Sequence, residues 1–263
     1  MNIKTIITGL MLLPAIISGT TVYAQAPVDS VETMTCQHTC QDNTTRFKPT
    51  QLILPGTLIA VGAFGIENGW FCHLKRDVRN EFQHMSHGHQ IKADKYLQYL
   101  PAAGYLAMGA LGVKSKHNFK ERAIVTVTSL ASYGVLAGGM KLCINERRPQ
   151  GDENNSFPSG HTTLAFMGTE LIRSEYPLGV GIGAYAVACG VGFMRLYNDR
   201  HWLNDVIAGA GVGILCARIG YWMLPVWKKV FRLDRPGCNS IVAVAPFYNM
   251  EYRAAGASFV GYF

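Results

Sequence analysis

The chain has 263 residues, 49% hydrophobic and 16% charged, with a formal net charge of +7. That composition fits either a polytopic membrane protein with sizeable polar loops or an unusually apolar soluble one. The positive excess sits mostly in loops beside apolar segments, which suits anionic lipid headgroups better than nucleic acid; no nucleic-acid motif, internal repeat or low-complexity run is present.

Residues 1–24 read as a secretory signal: Lys4, an apolar run over 6–17, then Val22, Tyr23 and Ala24 before Gln25. An uncleaved anchor is the alternative, and both place residues 25–50 outside the cytoplasm as a polar periplasmic tail. That tail holds Cys36 and Cys40, and Cys72 follows; two of these can pair in an oxidising compartment. All seven cysteines lie beyond the cleavage point, so at least one is unpaired within a monomer, and none sits in a catalytic motif. Residues 52–66 are apolar but shorter than the roughly 20 residues of a full span. Residues 69–95 are polar and mixed, with Lys75, Arg76, Asp77, Arg79 and Glu81, and read as a solvated or interfacial loop. Within them His84, His87 and His89 have a spacing that a metal could also use.

Apolar helical segments follow at 96–113, 123–140, 178–194 and 206–227, with a less apolar helix over 164–172 that carries Glu170 and has Arg173 near its end. Gly and Ala are dense over 179–192 and 208–213, which permits close helix packing. After Pro236 two short strand-like stretches, 241–245 and 252–263, read as a docking hairpin or tail.

The chemistry-bearing residues lie at segment ends. Lys141 and Arg148 are about two helical turns apart, so both side chains can leave one helix face and meet one anion. An ammonium and a planar guanidinium together suit a tetrahedral oxyanion. Pro149 then turns the chain into a loop over 151–158. Pro158, Ser159, Gly160 and His161 run into Thr162, Thr163 and Leu164, the signature of a helix start. Free N–H groups and the helix dipole favour an anion there, Gly160 allows close backbone approach, and His161 can act as acid or base. Arg195 precedes His201, and Asp205 lies four residues further on. In the first turn of a helix that pair shares a face, so Asp205 can fix the imidazole tautomer and leave the other nitrogen as nucleophile or base. Each piece has a plainer explanation: a basic membrane-proximal end, an ordinary N-cap beside a bystander His, a helix-entry Asp. Their conjunction in one chain is hard to reach by coincidence.

In order and spacing, Lys141-x6-Arg148-Pro149, Pro158-Ser159-Gly160-His161 and Arg195-x5-His201-x3-Asp205 resemble the three-part signature of the type 2 phosphatidic acid phosphatase (PAP2) superfamily. That superfamily also holds bacterial class A acid phosphatases and vanadium haloperoxidases. The resemblance covers roughly residues 52–225. Met194 stands where the family usually has Ser before the third-motif Arg, which removes a hydroxyl near the phosphate pocket. The resemblance implies an all-α helical bundle, membrane-embedded, as a phosphatase domain over 51–235 with a C-terminal tail over 236–263. It implies that His201 is the nucleophile that becomes a phosphohistidine, that Asp205 orients it, and that His161 protonates the leaving alcohol and later activates water. Lys141, Arg148 and Arg195, with Ser159 and the Gly160 N–H, would hold the phosphoryl oxygens. The implied chemistry requires no metal or other cofactor.

Lys114, Lys116, Lys120 and Arg122 form one basic loop, and Lys228, Lys229, Arg232 and Arg235 another. The positive-inside rule puts both in the cytoplasm and the motifs on the periplasmic side of the inner membrane. With residues 25–50 also outside, parity makes 52–66 re-entrant or interfacial, unless the whole domain is soluble. The expected activity is removal of phosphate from a membrane lipid: lipid A, a polyprenyl phosphate such as undecaprenyl diphosphate, or phosphatidic acid. The run over 92–101 resembles homologues of Bacteroidetes-type bacteria, which makes lipid A the first substrate to test. The alternatives are a soluble periplasmic acid phosphatase, a vanadium haloperoxidase, and a catalytically silent phospholipid-binding or transport scaffold.

Overall fold

A computed structural model describes residues 45–110, 113–151, 153–231, 241–249 and 254–262. The signal over 1–24, the tail up to residue 44 with Cys36 and Cys40, and Arg232 and Arg235 lie outside the described residues. A 3-10 turn at Pro49–Leu52 leads into α1 (Ile53–Glu67), followed by α2 (Gly69–Ser86), α3 (Asp94–Leu97), α4 (Leu100–Ala110), α5 (Phe119–Cys143), α6 (Gly160–Glu175), α7 (Leu178–Tyr197) and α8 (Leu203–Val230). An antiparallel hairpin follows, β1 (Ile241–Asn249) with β2 (Ala254–Tyr262), in which Ile241 faces Tyr262. The bundle is the all-α architecture expected, with its strand-like tail.

Helix α8 is the axis, and α1, α5 and α6 pack along it. Its inward face carries Val212, Cys216, Ala217, Tyr221 and Leu224, which meet Val125 of α5, Met167 and Leu171 of α6, and Tyr105 of α4. Close approach depends on glycine. A Cβ on Gly211 would stand 2.8 Å from the Pro55 carbonyl, and one on Gly213 2.4 Å from the Thr163 carbonyl, both inside contact distance. In a bilayer, where lipid is as apolar as the helix surface, such backbone proximity is a main source of helix association.

Among the described residues, four helical stretches are long and apolar enough to cross a membrane: Pro49–Glu67, Phe119–Cys143, Leu178–Tyr197 and Leu203–Val230. Large apolar side chains on their outer faces are exposed, among them Ile53, Phe64, Val127, Val135, Leu142, Leu178 and Ile182. The chain is therefore read as a membrane protein. The first of these stretches corrects the reading of 52–66 as re-entrant or interfacial. Gly65 packs on Asn204 at the start of α8, Gly211 of α8 packs on Pro55, and Gln51 accepts from Trp222 Nε1 at 2.9 Å. Helix α1 thus runs antiparallel to α8 between the levels of Trp222 and Asn204, about 27 Å of helix rise against a hydrocarbon core of about 30 Å. The 3-10 turn supplies the length that the apolar run lacked. Pro49 consequently lies at the end of the bundle opposite Asn204.

A second correction concerns 69–95. Its first part is not a loop but the 18-residue helix α2, which opens with the Asn68 side chain accepting from the Phe71 N–H at 3.2 Å and buries Phe71, Lys75 and Ser86. Helix α6 explains its own polarity. Glu170 is buried between Arg173, Arg218 and Tyr185, which donate or ion-pair to it, so the carboxylate is satisfied inside the bundle.

Replacing Gly213 by Leu would force α6 and α8 apart. Overpacking of this kind costs about 1–3 kcal/mol or more. Thermal unfolding in detergent should show a lowered midpoint for Gly213→Leu, while Gly179→Leu, with open space around the added Cβ, should stay near the parent.

Candidate active site

Three helix ends converge where α5 finishes, α6 begins, and α7 hands over to α8. Helix α5 stops at Cys143 because Ile144 turns extended, with φ −115° and ψ 105°. Lys141 and Arg148 therefore do not share a helix face, as their spacing suggested. A loop brings them together instead, through one residue: Lys141 Nζ donates to the Asn155 carbonyl at 2.6 Å, and Arg148 Nε to Asn155 Oδ1 at 3.0 Å. Arg148 also pairs with Glu153 at 3.1 Å.

Ser159 is the N-cap of α6, with Gly160 and His161 in its first turn. Its hydroxyl is fully buried and bonded to Thr162 Oγ1 at 2.9 Å, and its N–H donates to the Asp205 carbonyl at 3.1 Å. That last bond ties the start of α6 to the start of α8. A Cβ at Gly160 would stand 3.0 Å from the Tyr133 hydroxyl, so the backbone is tightly held there.

His201 and Asp205 are both buried, and His201 Nδ1 lies 3.4 Å from Asp205 Oδ2. Asp205 is the third residue of α8, where its carboxylate accepts from the Trp202 N–H at 2.9 Å and from the Ser156 hydroxyl. Ser156 Oγ is also 3.4 Å from His201 Nδ1. With Nδ1 turned to the carboxylate, Nε2 is the ring nitrogen left for other work. Burial, followed by the positive charges of Arg195, Lys141 and Arg148, holds the His201 imidazolium well below the usual histidine range. All three cations therefore act on the same imidazole. Arg195 and Arg148 also act electrostatically on His161, as does His201.

The structure thus gathers all eight sequence-identified residues at one end of the bundle. It adds two partners. Arg195 Nη1 bonds Asp94 Oδ2 at 2.6 Å in a buried pair, from a short helix whose sequence gave no sign of a role. Its Nε is buried with no partner among the described residues. Ser156 opens the second motif, but nothing in a lone serine announces a bond to Asp205. Among the described residues no group of three or more His, Cys, Asp or Glu is placed to hold a metal, and His84, His87 and His89 do not form one.

The family model described as PAP2 superfamily matches residues 119–229, which run from the first residue of α5 almost to the end of α8 and contain every motif residue. Over residues 119–229 the chain is thus similar to the PAP2 superfamily. It is 35% identical over 152 residues to a lipid A 1-phosphatase of Porphyromonas gingivalis, a match covering 56% of this chain and 33% of that protein. It is 38% identical over 72 residues to the bacitracin transport permease protein BcrC of Bacillus licheniformis, covering 27% and 35% respectively. The chain thus spans about a third of the length of the curated relatives it matches. Among solved structures, Aquifex aeolicus LpxE is similar at 24% identity with a TM-score of 0.40, over 54% of this chain and 92% of that one. A transmembrane PAP2-type phosphatidylglycerolphosphate phosphatase from Bacillus subtilis is similar at 16% identity with a TM-score of 0.44, over 69% and 99%.

The lowered protonation of His201 has a stability consequence of defined sign. The unfolded histidine binds a proton near pH 6.5 and the folded one does not, so this group costs the fold nothing above about pH 6.5 and up to about 1.4 kcal/mol per pH unit below it. Unfolding midpoints followed from pH 7.5 to 5.5 should fall more steeply for the parent than for His201→Gln. Parallel curves would place a proton on folded His201.

Proposed function

We propose that the protein is a phosphatase acting on a membrane lipid phosphate through a phosphohistidine at His201. The observation that carries this is the buried His201–Asp205 couple facing Lys141, Arg148 and Arg195. Three fixed cations suit a group that is most anionic as it transfers. Neutral His201 offers Nε2 to the phosphorus in line with the leaving alcohol; an N–P bond forms as the P–O bond breaks. Asp205 accepts from Nδ1 and stabilises the imidazolium so created. His161 gives its proton to the departing oxygen, and a bound phosphoryl dianion beside it favours the protonated form that this step needs. His161 then takes a proton from water, which attacks the phosphohistidine and releases phosphate. Lys141, Arg148, Arg195 and the Gly160 N–H hold the phosphoryl oxygens throughout, and the Ser159 hydroxyl, turned onto Thr162, acts through the shape of the helix start.

The exposed apolar faces of the long helices favour a substrate held in a bilayer over a soluble ester. The basic loops supply the orientation. Lys116 and Arg122 sit with Ser174 and Tyr176 at the foot of α6, and Lys228 pairs with Glu121, all at the end opposite His201. By the positive-inside rule that end is cytoplasmic and the active site periplasmic, in the inner membrane. This orientation also puts Pro49 on the cytoplasmic side, opposite to the side on which a signal or anchor over 1–24 would leave residues 25–50. Lipid A is the first candidate substrate, because the curated relative from Porphyromonas gingivalis is a lipid A 1-phosphatase.

Phosphate release by detergent-purified protein should be measured against lipid A, undecaprenyl diphosphate, phosphatidic acid and p-nitrophenyl phosphate. One lipid should be cleaved in preference to the small ester. His201→Ala should lower that rate by at least about 10³-fold, and Arg195→Ala by about 10²- to 10³-fold. Release that persists in His201→Ala would remove the phosphohistidine. Preference for p-nitrophenyl phosphate would move the protein to the soluble-ester class.

A further inference from the structure

Helix α2 lays a set of charges on the loop that carries His201, away from the anion-facing groups. Lys75 Nζ lies 2.7 Å from Glu146 Oε1, and both side chains are buried. The second oxygen of Glu146 accepts from Asn204 Nδ2 at 2.8 Å, and Asn204 is the neighbour of Asp205. The Glu146 carbonyl accepts the Ser156 N–H at 3.0 Å, and the Ser156 hydroxyl is on Asp205. Glu146 therefore holds two residues that contact or flank the His–Asp couple, Asn204 through its carboxylate and Ser156 through its backbone carbonyl. One turn on, Arg79 forks onto Asp199 through Nε at 2.7 Å and Nη2 at 2.9 Å. Asp199 has a left-handed backbone, with φ 56°, a conformation that a non-glycine residue holds at some cost. Lys75 and Arg79 also stand over the Trp202 ring, at 5.3 and 5.5 Å from its centroid. His201 is thus fixed two residues upstream and one residue downstream by the same helix.

Stability alone is a poor reason for this arrangement. Two buried charges are generally no better for the fold than apolar residues of the same volume. What the pair supplies is direction: a chain of short bonds from α2 to the turn whose ring must meet a phosphorus atom in line. We propose that Lys75, Arg79 and Glu146 are positioning residues for the His201–Asp205 couple, acting on turnover and leaving the hold on the phosphoryl group unchanged. This rests on the phosphatase reading above.

The test uses the full chain, the lipid that the parent cleaves best, and three variants. Lys75→Met/Glu146→Gln removes both buried charges together, so neither is stranded, and keeps an oxygen for Asn204. Arg79→Ala removes the fork at a half-buried site; Arg79→Lys restores the charge without the fork. Each of the first two should unfold within a few degrees of the parent and keep KM and inhibition by inorganic phosphate within about twofold, with kcat lowered about 10- to 100-fold. Arg79→Lys should recover only part of the loss. Turnover at the parent's rate in the double variant and in Arg79→Ala would overturn the proposal. So would a kcat loss matched by weaker phosphate inhibition, which would put these groups in the anion pocket, or one matched by a collapse in melting temperature. A parent without His201-dependent release would sink the phosphatase reading itself, and this proposal with it; an active parent matched by its variants would sink the positioning role alone.

Discussion

A carboxylate buried away from the protein surface organises this end of the molecule. Asp205 is fully buried, so its charge has to be met by donors from the protein itself. One is the Trp202 N–H, free because it lies in the first turn of α8, and one is the Ser156 hydroxyl from the loop before α6. Its own carbonyl accepts the Ser159 N–H, so the starts of two helices are locked to a single residue. His201 then has one place to put Nδ1. The orientation of the ring, the approach of α6 to α8 and the path of the loop over 144–159 follow from satisfying that group.

Burying such a cluster at one end of an apolar bundle requires the bundle to be held tightly, and small residues do this. Gly211 and Gly213 let α8 touch the backbones of the α1 region and α6, so the helix starts that bear the site are set by contacts deep in the bundle. The opposite end is fastened by polar groups as well. His117 meets Glu175, whose carboxylate also accepts from Tyr221, and Arg122 donates to the Tyr105 carbonyl and to the Tyr176 hydroxyl. Each of these is a buried charge or dipole with a partner, so both ends are joined by polar bonds while the faces between them are apolar.

The site was legible in the sequence because its residues lie in short, ordered motifs whose chemistry is distinctive: Lys141 and Arg148, Ser159 to His161, Arg195, His201 and Asp205. Their joint placement needed only that helices begin and end at those motifs. The way Lys141 and Arg148 meet is not legible, since a seven-residue spacing cannot reveal that Ile144 leaves the helix and that Asn155 collects both side chains. Lys75, Asp94, Glu146 and Ser156 were invisible because their partners lie between 49 and 101 positions away, and no local pattern encodes such contacts. The fold class was legible from apolar segments. The crossing of α1 was not, because the run over 52–66 is short and its missing turn comes from Pro49–Leu52, which carries no hydrophobic signal of its own. Helix α2 reads as a loop in the sequence because its charges mask a face on which Phe71 and Lys75 are four residues apart and both buried.

The central claim is a covalent bond between phosphorus and His201. The most direct measurement is to mix the protein with its lipid substrate, quench in alkali within milliseconds, digest, and locate any phosphoryl group by mass spectrometry. The account predicts a phosphoryl group on the peptide containing His201, stable in base and lost in acid, and absent from His201→Ala. A protein that releases phosphate at full rate while no quench time yields that modified peptide would contradict it, and would make His201 a base acting on water instead of a nucleophile.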